Sequence, residues 1–175
     1  DGSLSIRTYL GVDGTGRHAD NLTIVDVGDI DAGGIDAHAN NGSTWSVPTA
    51  DTGDIAIGTL AARAGHIRVD YLYAQCGDGS RGGVPGNGNA GHITVFGSGN
   101  VLVQNADGSL KGDLLTLSPR RSPGGNITVN HVGAFAARNI LSEAYYGQDS
   151  TGIAGEISLI GNGDGDLPSG GFEAA

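Results

Sequence analysis

The sequence predicts an all-β chain, a parallel β-solenoid of about five irregular coils with Gly-rich loops. Three observations predict it. Glycine supplies 33 of 175 residues, a five-residue phrase recurs along the chain, and its strongest copies are spaced 30 to 38 residues apart.

Glycine is the first. Its content is well above the average of about 7%. Each glycine inside a helix costs about 0.5–1 kcal/mol relative to alanine, so long helices are disfavoured. A collagen triple helix is excluded because no strict Gly-X-Y period runs through the chain. Short Ile/Val/Leu-rich clusters recur and can form a core, which argues against plain disorder. What remains is a fold of short strands and many tight turns.

The phrase is the second: glycine, a polar residue, Ile, a variable residue, then Ile, Val or Leu. It reads Gly53-Asp54-Ile55-Ala56-Ile57, Gly65-His66-Ile67-Arg68-Val69, Gly91-His92-Ile93-Thr94-Val95, Gly125-Asn126-Ile127-Thr128-Val129 and Gly155-Glu156-Ile157-Ser158-Leu159. Looser copies are Ser3-Leu4-Ser5-Ile6, Asn21-Leu22-Thr23-Ile24, Gly28-Asp29-Ile30-Asp31-Ala32 and Gly99-Asn100-Val101-Leu102-Val103. Alternation of this kind is that of a strand with one buried face, and the glycine marks a corner.

The third is spacing. Leu22 to Ile55 is 33 residues, Ile55 to Ile93 is 38, Ile93 to Ile127 is 34 and Ile127 to Ile157 is 30. Such periods belong to stacked repeats, in which each unit buries its apolar face only against its neighbours. The expected coils are Ile55–Leu60 with Ile67–Ala74; Ile93–Phe96, Val101–Val103 and Leu114–Leu117; and Ile127–Val132 with Ile140–Ala144. Ala61, Ala62, Ala136 and Ala137 are expected in a narrow interior. An antiparallel sandwich or barrel also has short strands and frequent turns. It does not require likeness between phrases about 30 residues apart. The chain reads as one domain over residues 1–175, with a Gly-rich loop insertion at 77–91 and an irregular C-terminal tail at 161–175.

The phrases beginning at Gly53, Gly91 and Gly125 resemble coils of large bacterial surface proteins, the filamentous-haemagglutinin type adhesins with right-handed β-helices. The resemblance is one of rhythm, covers about Leu22 to Ile160, and rests on a short motif. It implies a secreted or cell-surface role without a cofactor, and supplies no catalytic residues. The loops here are longer and richer in glycine than the resemblance leads one to expect, and no secretion-domain signature is present.

Net charge is −10, from nine basic and nineteen acidic residues, with Lys111 the single lysine. Such a surface repels phosphate backbones and argues against a nucleic-acid partner, while attracting divalent cations. Cys76 is the single cysteine, so no intrachain disulfide forms. No apolar run approaches the ~20 residues that span a bilayer, which argues against membrane insertion. A start at Asp1 without a signal peptide reads as a processed form or an excised segment.

Candidate chemistry is sparse. Gly86-Asn87-Gly88-Asn89-Ala90-Gly91 matches a dinucleotide-binding pattern. It follows Pro85 and precedes a strand rather than a helix, so the match is attributed to chance. Asn162, Asp164 and Asp166, alternating with glycine, are the candidate calcium ligands, although Leu167 and Pro168 break the EF-hand pattern. Asp29, Asp31 and Asp36 form a second acidic group, with Asp29 and Asp31 expected outward and Ile30 inward. Of the histidines (18, 38, 66, 92 and 131), His66 and His92 share one place in the phrase and would lie close together if their coils stack. Neither has a Cys or Glu at ligand spacing for zinc. Cys76 has no evident His partner, and no G-x-S-x-G elbow is present. Polysaccharide lyases and hydrolases on parallel β-helices need charged groups converging on an outer face, which Asp54, Arg68, Asp70 and Arg81 could supply. Tyr71 and Tyr73 would share one face of a strand and could stack on sugar rings.

The ends of a solenoid expose unpaired strand edges, and no amphipathic capping helix is evident at either terminus. The expectation is therefore a secreted or cell-surface structural or adhesive protein. It would pair head-to-tail with itself into a filament or surface layer, or with flanking domains of a longer chain. The alternative is a carbohydrate-active enzyme, a lyase or hydrolase, or a module binding extracellular glycans on the same scaffold.

Overall fold

Among the described residues, alternating apolar residues and glycine corners give thirteen strands and no helix, so no helix there is long and apolar enough to cross a membrane. The computed structural model describes residues 6–9, 21–39, 51–76, 89–105, 107–108, 112–118, 123–144, 153–162 and 172–174; for 6–9, 39, 76 and 172–174 it describes the backbone alone.

The strands form two sheets, and every pairing between them is parallel. The smaller sheet holds β2 (Leu22–Ile24), β4 (Ile55–Ile57), β6 (Ile93–Phe96), β9 (Ile127–His131) and β12 (Ile157–Gly161). The larger holds β1 (Ile6–Tyr9), β3 (Ile30–Ala39), β5 (Ile67–Cys76), β7 (Val101–Val103), β8 (Asp113–Ser118), β10 (Phe135–Ala137), β11 (Asn139–Ala144) and β13 (Phe172–Ala174). From β2 onward the chain visits the small sheet, then the large one, and repeats. One such visit to both is termed a layer.

Register follows the spacing of the phrase. Leu22 pairs with Ile55, Ile55 with Ile93, Ile93 with Ile127 and Ile127 with Ile157. Two columns of the phrase emerge where the sequence suggests one. Copies beginning at Gly53, Gly91, Gly125 and Gly155 enter the small sheet; those beginning at Gly28, Gly65 and Gly99 enter the large one. Each layer therefore uses the phrase twice, once at each of two corners. Glycine is required in the first column because a Cβ on Gly91 would collide with the Gly53 carbonyl, and one on Gly125 with that of Gly91.

The core lies between the sheets as stacked columns. Ile55, Ile93 and Ile127 form one, and Ile57, Val95 and Val129 the next. Opposite them run Ile67, Val101 and Phe135, then Val69 and Val103, then Leu72 and Leu114. Each fully buried side chain of this size contributes about 1.5–3 kcal/mol. At the core margin the Thr116 and Ser142 hydroxyls both donate to the Gly125 carbonyl, at 2.7 and 2.8 Å.

Two local expectations are corrected. The strand expected over 55–60 stops at Ile57, because Gly58 takes a φ of 68° and turns the chain. Leu60 is consequently 68% exposed. Ala61 and Ala62 lie on this surface turn, closed by Thr59 N–H donating to the Ala62 carbonyl at 2.9 Å. The interior alanine of the corner is Ala64 instead. Ala136 and Ala137 are buried as expected.

The large sheet also absorbs an insertion. Val69 pairs with Val103, 34 residues on, but Leu72 pairs with Leu114, 42 residues on. The eight extra residues (42 − 34) lie between β7 and β8, and the next layer removes the offset: Phe135 pairs with Val101 and Ile140 with Leu114. The chain rejoins the stack at Gly112, whose carbonyl accepts the Arg138 N–H at 2.9 Å.

Candidate functional site

In seven of the phrases the residue before the first apolar position, from Asn21 to Asn126, accepts a hydrogen bond, and successive layers link these acceptors into ladders. In the small sheet, Asn21 Oδ1 accepts the Asp54 N–H at 2.9 Å and Asp54 Oδ1 accepts the His92 N–H at 2.8 Å. His92 Nδ1 then accepts the Asn126 N–H at 2.8 Å, and Asn126 Oδ1 accepts the Glu156 N–H at 2.9 Å. In the large sheet, Asp29 Oδ1 accepts from His66 N–H at 2.7 Å, His66 Nδ1 from Asn100 N–H at 3.0 Å, and Asn100 Oδ1 from Ala134 N–H at 2.9 Å. These bonds satisfy corner N–H groups that would otherwise face water or nothing. Both histidines take these bonds at Nδ1.

His66 and His92 therefore do not stack on each other. They hold equivalent places in different sheets, because the phrase serves both corners. Asp54 likewise belongs to the small-sheet ladder and does not converge with Arg68 and Asp70. Arg81 lies outside the described residues.

The outward face of the large sheet gathers a second group of charged and aromatic side chains. Arg68 pairs with Asp31 across β3 and β5, and with Asp70 at 3.8 Å. One row further, Tyr71 lies over Gly34, where any Cβ would collide with its ring. Tyr73 stands in register with Asp36, and the two tyrosine rings meet at 4.5 Å with an interplanar angle of 31°. The acidic group expected at 29, 31 and 36 is thus dispersed: Asp29 caps a corner, Asp31 holds Arg68, and Asp36 is buried at 8% exposure.

Beside Tyr71, β8 and β11 add a fixed ion pair. Arg138 clamps Asp113 with two bonds, Nε to Oδ1 at 3.0 Å and the terminal nitrogen to Oδ2 at 2.5 Å, and Asn139 Nδ2 donates to Oδ1 at 2.9 Å. The Arg138 guanidinium holds the Asp113 carboxyl below the usual carboxylate range, outweighing burial, which acts the other way. Burial, reinforced by the Asp113 charge, pushes the Tyr73 phenol above its usual range and keeps it a neutral donor. The face can therefore stack a flat ring and hydrogen-bond polar groups at its rim. Sequence reasoning isolates Tyr71 and Tyr73 but misses Asp113, Arg138 and Asn139. No motif joins these three, which meet through the β8–β11 register.

Of the candidate calcium ligands, Asn162 is described: its N–H donates to the His131 carbonyl at 2.8 Å and its amide to Asn130 Oδ1 at 2.5 Å. Asp164 and Asp166 lie outside the described residues, as do most of the 77–91 insertion and the Cys76 side chain. Among the described residues, no group of three or more His, Cys, Asp or Glu side chains could hold a metal ion. Comparison with protein families, curated proteins and solved structures finds no match to this chain.

Proposed function

We propose that the chain is a parallel β-solenoid acting as a secreted or cell-surface structural or adhesive element. One observation carries this reading: the phrases of the small sheet hydrogen-bond in parallel register, each to its counterpart in the next layer, through strand pairing and through a side-chain ladder. Such a stack repeats one interface along an axis, which suits spacing, display and end-to-end contact. The acidic surface and the resemblance to adhesin coils support a place outside the cell. Calcium bound by Asn162, Asp164 and Asp166 is part of the same proposal.

Removal of one whole layer tests the architecture. Excising 91–124 joins Ala90 to Gly125 and preserves both columns, so a solenoid remains a cooperatively unfolding β protein by circular dichroism. A chain with one indivisible core would lose its transition. Electron microscopy of the intact chain tests the role: filaments or surface layers are expected, dispersed by EDTA if calcium sits at the contacts, and isolated particles would overturn the assembling role.

A second reading, a glycan-binding or carbohydrate-active module, is favoured by the Tyr71–Tyr73 pair edged by Asp113 and Arg138. Tyrosine rings stack on the apolar faces of sugars, and the clamped pair offers partners for hydroxyls. A glycan array separates the two: retention lost in Tyr73→Ala supports the module, and an empty array with filaments by microscopy supports the structural reading alone.

A further inference from the structure

Among the described residues, the two ends of the stack leave complementary halves of a layer uncovered. At one end, β1 pairs with Ile35–His38 and covers the second half of β3. The outer edge of Ile30–Ala32 carries no strand among the described residues. At the other end, β13 pairs with β10 over Phe135–Ala137, the first half of the corresponding layer. The outer edge of β11 carries no strand among the described residues. One end supplies the half-layer that the other lacks.

Among the described residues, the small sheet carries no strand beyond β2 or β12. Ile127 is fully buried, whereas Ile157, in the same column on β12, is 43% exposed, and Ile153 and Ile160 are exposed beside it. Leu22 and Ile24 on β2 are only half-buried at the opposite end. The ladder stops in a matching manner. The Glu156 N–H donates to Asn126 Oδ1, so the last rung offers the Glu156 carboxylate as acceptor, while at the first rung Asn21 accepts from Asp54 and offers its own backbone N–H to a further layer.

We infer that a second copy of this chain stacks head-to-tail on the first through a half-lap joint, in which β13 of one copy and β1 of the next lie side by side as one complete layer. Continuing the internal registers fixes the pairing. Phe172 of the first copy meets Ile30 of the second, because Ile30, Ile67, Val101, Phe135 and Phe172 are one column. Ile6 of the second meets Ile140 of the first, because Ile6, Ile35, Leu72, Leu114 and Ile140 are another. In the small sheet Ile157 meets Leu22 and Ser158 meets Thr23, and the Glu156 carboxylate accepts the Asn21 N–H. Exposed strand edges of this kind template pairing with another chain, and a heterologous contact that does not close builds an open fibre. The inference rests on the solenoid reading and adds the partner and the register.

The test uses the full chain with Cys76→Ser, carrying either Thr23→Cys or Ser158→Cys on the outward strand face. Parallel neighbours about 4.8 Å apart lie within disulfide reach. Mixing the two variants under mild oxidation is expected to give a disulfide dimer that neither gives alone. Cross-linking of either variant by itself would mean a two-fold contact and would overturn the joint. Ile157→Lys, at an exposed edge, is expected to disperse the filaments with unchanged circular dichroism; filaments that survive it would also overturn the joint. Filaments by microscopy without the mixed cross-link would reject this register while leaving the assembling role standing, and a failed layer excision would reject the solenoid beneath both.

Discussion

The Nδ1 of His92 accepts the backbone N–H of Asn126 at 2.8 Å, across 34 residues of sequence. A ring nitrogen thus occupies the place held elsewhere in the ladder by the side-chain oxygens of Asn21, Asp54 and Asn126. The rung needs an acceptor of the right reach rather than a histidine. His92→Asn is therefore expected to keep the stability of the native chain, and His92→Leu to lose about 1 kcal/mol, the worth of one such bond. Urea denaturation of both variants measures the difference, and equal losses would show that the ring contributes through packing.

Crowding at the glycine corner leads to a second expectation. A Cβ at Gly125 would strike the Gly91 carbonyl, whereas one at Gly28 would meet nothing within 4 Å. Gly125→Ala should cost about 1–3 kcal/mol or more, as overpacking does. Gly28→Ala should be neutral or stabilise by about 0.4–1 kcal/mol, through a less flexible unfolded chain. Thermal melting of the pair checks the contrast.

Asp113 should set an acid limb in the stability profile. Arg138 holds its carboxyl below the ordinary range in the folded chain, so the unfolded chain binds the proton first as pH falls. The stabilisation is complete above the unfolded carboxylate value of about 3.9 and is lost as pH falls from there through the lowered folded value. Urea titrations across this window should show the loss in the native chain and a flatter limb in Asp113→Asn.

Tyr73 should act at the alkaline side with the opposite sign. Its raised folded value means that the unfolded chain gives up the proton first. Stability is retained below about pH 10 and declines above it. Ultraviolet titration of the phenols should lose its most alkaline component in Tyr73→Phe, and an unchanged curve would place that component elsewhere.

The sequence carries the repeat more completely than it carries the face. Spacing between Leu22, Ile55, Ile93, Ile127 and Ile157 is the register itself, since parallel stacking requires like residues to recur at the length of a layer. The assignment of copies to corners is not legible, because Gly65-His66-Ile67 and Gly91-His92-Ile93 meet the same local demand in different sheets. Leu60 and Ala61 illustrate another limit: their apolar character extends the strand pattern past Gly58, where a left-handed backbone turns the chain away. Asp113 and Arg138 are separated by 25 residues, so only pairing of β8 with β11 brings the ion pair into view.

The eight residues taken up between β7 and β8 make this corner a natural port for foreign sequence. The native strand order already parts there and rejoins at Gly112 without a change of register in the following layer. Loop closure grows only with the logarithm of length, so doubling the segment costs about 0.6 kcal/mol. A peptide epitope or a reporter tag grafted near Gly108 would be carried once by every copy, and along a fibre of stacked copies it would be presented at regular intervals.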